Sequence, residues 1–192
     1  SALIEAMEES QVTVERETYQ LPQPFMVIAT QVESGGEGTY PLTNVQIDRF
    51  LLRVVSQYSS KEEEKQIIIN IDKIDEPDIK RVLFSDEIED LRNAAMQVQV
   101  SPDIVEYATT IIDSLRSDPD VLIAPSSRAG ISFYKCSRVL ALLDGRDFVI
   151  PDDIKHLALR VIEHRIREND YLQGKNLTPR MVLERTLEQV PV

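Results

Sequence analysis

The run Leu21-Pro22-Gln23-Pro24-Phe25-Met26-Val27-Ile28-Ala29-Thr30-Gln31 decides the fold class. Its five consecutive apolar residues, Phe25 to Ala29, have the length of a strand buried on both faces, as in a parallel sheet. Upstream, Val12 and Val14, then Tyr19 and Leu21, alternate with polar residues. That period of two predicts a hairpin exposed on one face, and Pro22 and Pro24 end it. Before the hairpin, Leu3, Ala6 and Met7 fall at helical spacing, so Ala2 to Glu9 reads as the end of a helix. Downstream, Asn44 to Phe50 reads as a short helix and Leu51 to Val55 as another short apolar strand. Gly35, Gly36 and Gly38, half of the chain's six glycines, crowd the loop between.

From Ser59 onward the signals are helical. Ser60 and Glu63 have the spacing of a capping box, in which each side chain meets the other's backbone N–H. Ile67, Ile68 and Ile71 line the helix it opens. Ser101-Pro102 is a second start, because proline at the first helical position loses no needed hydrogen bond. Beyond it Ile104, Tyr107, Ala108, Ile111, Ile112 and Leu115 mark one face of a helix. Ile154, Leu157, Ala158, Val161 and Ile162 repeat the pattern after Pro151-Asp152, and Thr178-Pro179 opens a last helix. The expected organisation is an α/β piece over residues 1–58 and an all-α helical bundle over 59–192.

Composition narrows the function. The 192 residues carry 33 Asp and Glu against 21 Lys and Arg, a net charge of −12. Residues 1–58 hold −5 of this, residues 59–127 hold −9, and residues 128–192 are weakly basic at +2. The middle third would repel a phosphate backbone, so no nucleic acid is expected as a partner. No stretch of eighteen apolar residues is present, so no membrane insertion is expected. The acidic start Glu5, Glu8 and Glu9 is unlike a signal or transit peptide. A single cysteine, Cys136, excludes a disulfide framework and a cysteine zinc site, and reads as a small buried apolar residue. The expected compartment is cytoplasmic.

Catalytic constellations are scarce. The two histidines, His156 and His164, lie on a helical stretch and read as surface or packing residues; no metal site is expected. Glu62-Glu63-Glu64 reads as a solvated helix start favoured by the helix dipole. The glycine loop invites a phosphate-cradle reading, but a P-loop needs G-x-x-x-x-G-K-[ST]. That pattern occurs nowhere: the single Gly-Lys pair, Gly174-Lys175, runs into Asn176. The loop therefore reads as a connection.

Matched blocks in order then carry a resemblance. They are Ala2 to Glu9, Gln11-Val12-Thr13-Val14, Leu21 to Phe25 and Val27-Ile28-Ala29-Thr30-Gln31, followed by Glu37 to Leu42 and Gln46-Ile47-Asp48-Arg49-Phe50. Further on come Ser127-Arg128-Ala129, Leu143 to Asp147, Val149 to Ile154 and His164-Arg165-Ile166. Together they resemble the MoxR branch of the AAA+ ATPases from residue 1 to about 167.

The resemblance implies a partial AAA+ P-loop NTPase core over residues 1–58, holding the pre-sensor hairpin, the sensor 1 strand and the last strand. A helical lid follows over 59–192. It implies that Arg49 is an arginine finger reaching a neighbour's ATP, in trans, within a homo-oligomeric ring, often a hexamer. It implies that Arg128 is the sensor 2 arginine, reaching the γ-phosphate in its own subunit, and that Thr30 and Gln31 belong to sensor 1. Permanently charged, forked donors suit a phosphoryl group in transfer. As plain residues, Arg49 beside Asp48 is also a surface ion pair, and Arg128 at a helix start opposes the dipole.

Two departures stand out. Val32 occupies the place of the family's sensor 1 Asn, and Ala124-Pro125-Ser126-Ser127-Arg128-Ala129 departs from Gly-Ala-Ser-Pro-Arg-Ala. In the family the Walker A lysine and the Asp-Glu strand that holds magnesium lie before the place matching Ser1. The expectation is therefore the C-terminal portion of a longer ATPase. ATP and Mg2+ would be cofactors of the parent, none would be bound by this fragment, and the fragment would be inactive alone. Residues 1–58 would pair with a second copy, pack irregularly or be poorly ordered. The implied role is chaperone-like remodelling or assembly of a client complex that the sequence does not name. The alternatives are a helical protein-interaction module without a nucleotide role and, more weakly, a helix-turn-helix DNA binder.

Overall fold

The computed structural model describes residues 2–31, 42–169 and 177–191. Helix α1 (Ala2–Glu9) leads into a ribbon of β1 (Gln11–Val14) and β2 (Glu17–Gln20). The strands pair antiparallel with Val12 opposite Tyr19 and Val14 opposite Glu17, as the alternation predicts. Glu15 and Arg16 form the two-residue turn with φ of 52° and 74°. Positive φ at both central residues is what the right-handed twist of a tight hairpin demands.

The two apolar runs expected as strands, 25–29 and 51–55, form no β-ladder among the described residues. Met26, Ile28 and Val54 are 76%, 79% and 78% exposed. The physical reason is that a strand exists only through a neighbour that takes up its N–H and C=O groups. Among the described residues no strand lies beside either run. The Gly35–Gly38 loop and Val32 lie outside the described residues.

A single turn, α2 (Asn44–Ile47), is closed by a Thr43–Gln46 capping box. The predicted box of Ser60 and Glu63 opens α3 (Lys61–Ile69), with the Glu63 carboxylate accepting from the Ser60 N–H at 2.8 Å. α4 (Ile71–Asp75) follows directly. Neither helix has a buried residue, so Ile67, Ile68 and Ile71 line an open face.

The core is built by the later helices. α5 (Ser85–Gln97) contributes Ala95, and α6 (Pro102–Ser117) buries all six residues of its predicted face. β3 (Val121–Ile123) connects to α7 (Ser127–Leu143), which buries Phe133, Cys136 and Ala141. α8 (Pro151–Ile162) buries Ile154, Leu157, Ala158, Val161 and Ile162. A 3-10 turn, Glu163–Arg165, then leads to β4 (Arg167–Glu168), which pairs antiparallel with β3. This small ribbon between helices was not legible in the hydropathy. α9 (Pro179–Gln189) closes the cluster with Val182 and Leu183.

The α7–α8 connection explains the Asp144-Gly145-Arg146 block structurally. Gly145 turns the chain at φ 73°, and Arg146 forks onto Asp153 at 2.7 and 2.9 Å. Asp153 also accepts from the Ile150 N–H at 2.9 Å, capping α8. Burial would raise the Asp153 carboxyl, but the Arg146 fork and that amide outweigh it and hold it below its ordinary range.

Candidate functional site

Arg49 sits on the turn that ends α2, one residue after Asp48. Arg128 is the second residue of α7, where the Ser126 hydroxyl caps the helix by accepting from the Arg128 N–H at 3.1 Å. Pro125 is held by Arg116, whose Nε donates to the Pro125 carbonyl at 3.1 Å. Separated by 79 positions in sequence, the two guanidiniums meet at one carboxylate. Glu8, at the end of α1, accepts from Arg128 Nη2 at 2.6 Å and pairs through the same Oε1 with Arg49 Nη1.

The electrostatics follow from that sharing. The hydrogen bond from Arg49 holds the Glu8 carboxyl below its ordinary range, with the charges of Arg49 and Arg128 adding to it. Glu8 in turn raises Arg49. Glu8 also answers the dipole objection to a cation at the start of α7, because it sets a negative charge against Arg128. The Arg49 Nε is buried and has no hydrogen-bond partner among the described residues. A planar guanidinium with a spare donor beside a second one is suited to an oxyanion.

Thr30 and Gln31 are placed elsewhere. They line a separate cavity of about 170 Å3 with Ile47, Phe50, Arg53 and His164. The structure thus brings Arg49 and Arg128 together and places Thr30 and Gln31 in a different cavity.

The residues that sequence reasoning missed are Glu8 and Arg165. Arg165 has a side chain only 1% exposed and is wrapped by the Asp48–Leu51 turn. Its Nε donates to Asp48 Oδ1 at 3.0 Å, and its Nη2 donates to the carbonyls of Phe50 at 2.7 Å and Asp48 at 3.2 Å. Its Nη1 bonds the carbonyl of Val161, at the end of α8. Burial pulls the Arg165 guanidinium below its ordinary value, and the Asp48 carboxylate opposes that pull. The available signal was an arginine flanked by Val161, Ile162 and Ile166, a cation set in an apolar face.

Next to it, His164 Nε2 donates to the Phe50 carbonyl at 3.1 Å. Burial pushes this imidazole down to about 4, with the Arg165 charge pushing the same way, so it is neutral at pH 7. His164 packs as the spacing suggested, and His156 is exposed. Burial also pushes the Cys136 thiol up to about 11, leaving it an unreactive core residue. Among the described residues no three His, Cys, Asp or Glu side chains come together as a metal site. None of the described helices is long and apolar enough to cross a membrane.

Comparisons with known proteins match two parts of the chain. Residues 1–52 match the ATPase family associated with various cellular activities (AAA), and residues 114–185 match the AAA lid domain. The uncharacterized protein YeaC of Bacillus subtilis is 35% identical over 193 residues, covering all of this chain and 60% of YeaC. Chaperone MoxR1 of Mycobacterium tuberculosis is 32% identical over 199 residues, covering 99% of this chain and 52% of MoxR1. A crystal structure of a Cytophaga hutchinsonii protein provisionally assigned as an ATPase superposes with a TM-score of 0.87 at 29% identity. That match covers 98% of this chain and 60% of the other. The chain therefore spans between half and three fifths of the length of these relatives.

Proposed function

The chain belongs to the MoxR branch of the AAA+ ATPases, and from that premise we propose that Arg49 and Arg128 stabilise the charge on ATP as its γ-phosphoryl group is transferred. The observation that carries this reading is their convergence on the single carboxylate of Glu8. A carboxylate shared by two forked cations offers them the same oxyanion chemistry as a phosphate oxygen, which supports this reading. The guanidinium group is a permanently charged, planar fork of donors, which suits it to a phosphoryl group in transfer. An arginine brought to a transferring phosphoryl group contributes about 10³- to 10⁵-fold in rate.

The shared partner also bears on which nucleotide each arginine serves. Two side chains on one carboxylate have one address. This favours Arg49 and Arg128 acting together on a neighbouring subunit's ATP over the expected split, with Arg128 serving its own subunit. Thr30 and Gln31, in their own cavity, belong to the water-positioning side of the same reaction. Magnesium has no matching set of donors among the described residues, and no step here runs through it. Hydrolysis in a homo-oligomeric ring in the cytoplasm would drive chaperone-like remodelling or assembly of client complexes; the likeness to Chaperone MoxR1 supports the chaperone-like role.

Mixing wild-type full-length protein with the Arg49→Ala variant tests the proposal. A finger acting in trans makes mixed rings lose more ATP turnover than the dilution of active subunits accounts for. Arg128→Ala gives the same excess loss where it shares the neighbour's phosphate, and a loss in simple proportion where it serves its own subunit. Unchanged turnover with Arg49→Ala sinks the assignment and leaves a helical interaction module as the reading.

A further inference from the structure

Resting on the reading of Arg49 and Arg128 as one phosphate-directed pair, we propose that Arg165 is the positioning residue that holds these two arginines in register. Arg165 touches neither guanidinium. It acts through the backbone turn that carries Arg49 and, by way of Asp48, through the cap that carries Arg128.

The bonds form a continuous chain. Asp48 gives one carboxylate oxygen to Arg165 Nε at 3.0 Å and the other to the Ser126 hydroxyl at 2.7 Å. The same Ser126 oxygen accepts from the Arg128 N–H at 3.1 Å. Arg165 also donates to the carbonyls on either side of Arg49, those of Asp48 and Phe50. The Nη2 that makes both of these bonds also lies 3.2 Å from the Ser132 hydroxyl of α7, and that hydroxyl donates to the Arg128 carbonyl at 2.8 Å. Arg128 is thus tied at its amide and at its carbonyl, and Arg49 through the carbonyls of the residues before and after it. Every tie ends on one buried guanidinium.

Two side chains that converge on one anion must hold their spacing closely, because small misplacements of a positioning group cost large factors in rate. Arg165 is suited to the task by its fork of donors. A lysine keeps the charge but offers its donors from one point, so it cannot reproduce the separate Nε, Nη1 and Nη2 contacts to Asp48, Val161 and Phe50.

The test is a double-mutant cycle in the full-length ATPase. Arg165→Lys is expected to lower kcat by about tenfold or more, whereas in an Arg49→Ala/Arg128→Ala background it costs less than about twofold, because coupled residues are not additive. Amide exchange supplies a readout independent of turnover. It is expected to quicken in peptides covering residues 46–51 and 126–130 and to stay unchanged across the core face 104–115. Equal loss of kcat in both backgrounds, or unchanged exchange at the two arginine segments, overturns the proposal. Should Arg49→Ala and Arg128→Ala each leave kcat intact, the phosphate reading fails. The exchange data then decide alone whether Arg165 holds the two segments.

Discussion

His164 shows how one side chain converts packing into a measurable property. Its imidazole is half-buried against the Phe50 carbonyl, beside Arg165, and its folded pKa is about 4 against an ordinary 6.5. The folded state therefore binds fewer protons than the unfolded chain between these values. Stability from this group is complete above about pH 6.5 and falls as pH drops toward about 4. Between pH 6.5 and 5 the linkage amounts to about 1.5 kcal/mol of lost stability. Urea unfolding at those two pH values measures it. His164→Gln, which keeps a donor for the Phe50 carbonyl, is expected to remove most of the difference. An unchanged pH dependence in that variant would mean that another group is responsible.

Among the elements, two serines with the same capping chemistry serve helices of opposite standing. Ser101 caps α6, whose buried face sits in the core, and Ser60 caps α3, which buries nothing. Losing an N-cap oxygen costs about 1 kcal/mol of helix stability. Ser101→Ala is expected to lower global unfolding stability by that amount. Ser60→Ala is expected to melt only α3, leaving the global transition in place and reducing helical circular dichroism slightly. Equal shifts of the global transition by both variants would contradict this.

The contrast also marks what was legible in the sequence. Caps and the 3.6-residue spacing are local, so α6, α8, α9 and the Val12–Tyr19 hairpin could be read directly. Strand pairing at 25–29 and 51–55 could not, because a ladder depends on a neighbour outside the run. Arg49 and Arg128 were identified through their motif blocks. Glu8 was not, because nothing local tells one exposed glutamate on α1 that two distant arginines share it. Arg165 was missed for a related reason: several of its partners are carbonyls of residues 114 or more positions away, and carbonyls leave no trace in side-chain patterns.

At the scale of the whole molecule, apolar surface is distributed unevenly. The buried cluster runs from Val98 to Val190. Before it, Met26, Ile28, Val54, Ile68 and Val82 are each at least 68% exposed. An apolar surface this extended is more than an isolated soluble domain ordinarily leaves to water. Such segments open at little free-energy cost, because few buried contacts are lost when they do. Limited proteolysis of the 192-residue chain at low concentration is therefore expected to cut first between about residues 52 and 84, where described helices bury nothing. The resistant piece should begin near Ser85 and retain α5 to α9. A hydrophobic dye should bind the intact chain strongly and the resistant piece weakly. The Asp48–Arg165 clasp gives the result a second edge. If the bonds across it hold the Asn44–Arg53 segment to the later helices, that segment stays associated with the resistant piece after cleavage and separates only in denaturant. Protection spread evenly over residues 21–84, with weak dye binding, would show that this surface is already covered and would overturn the uneven distribution on which the prediction rests.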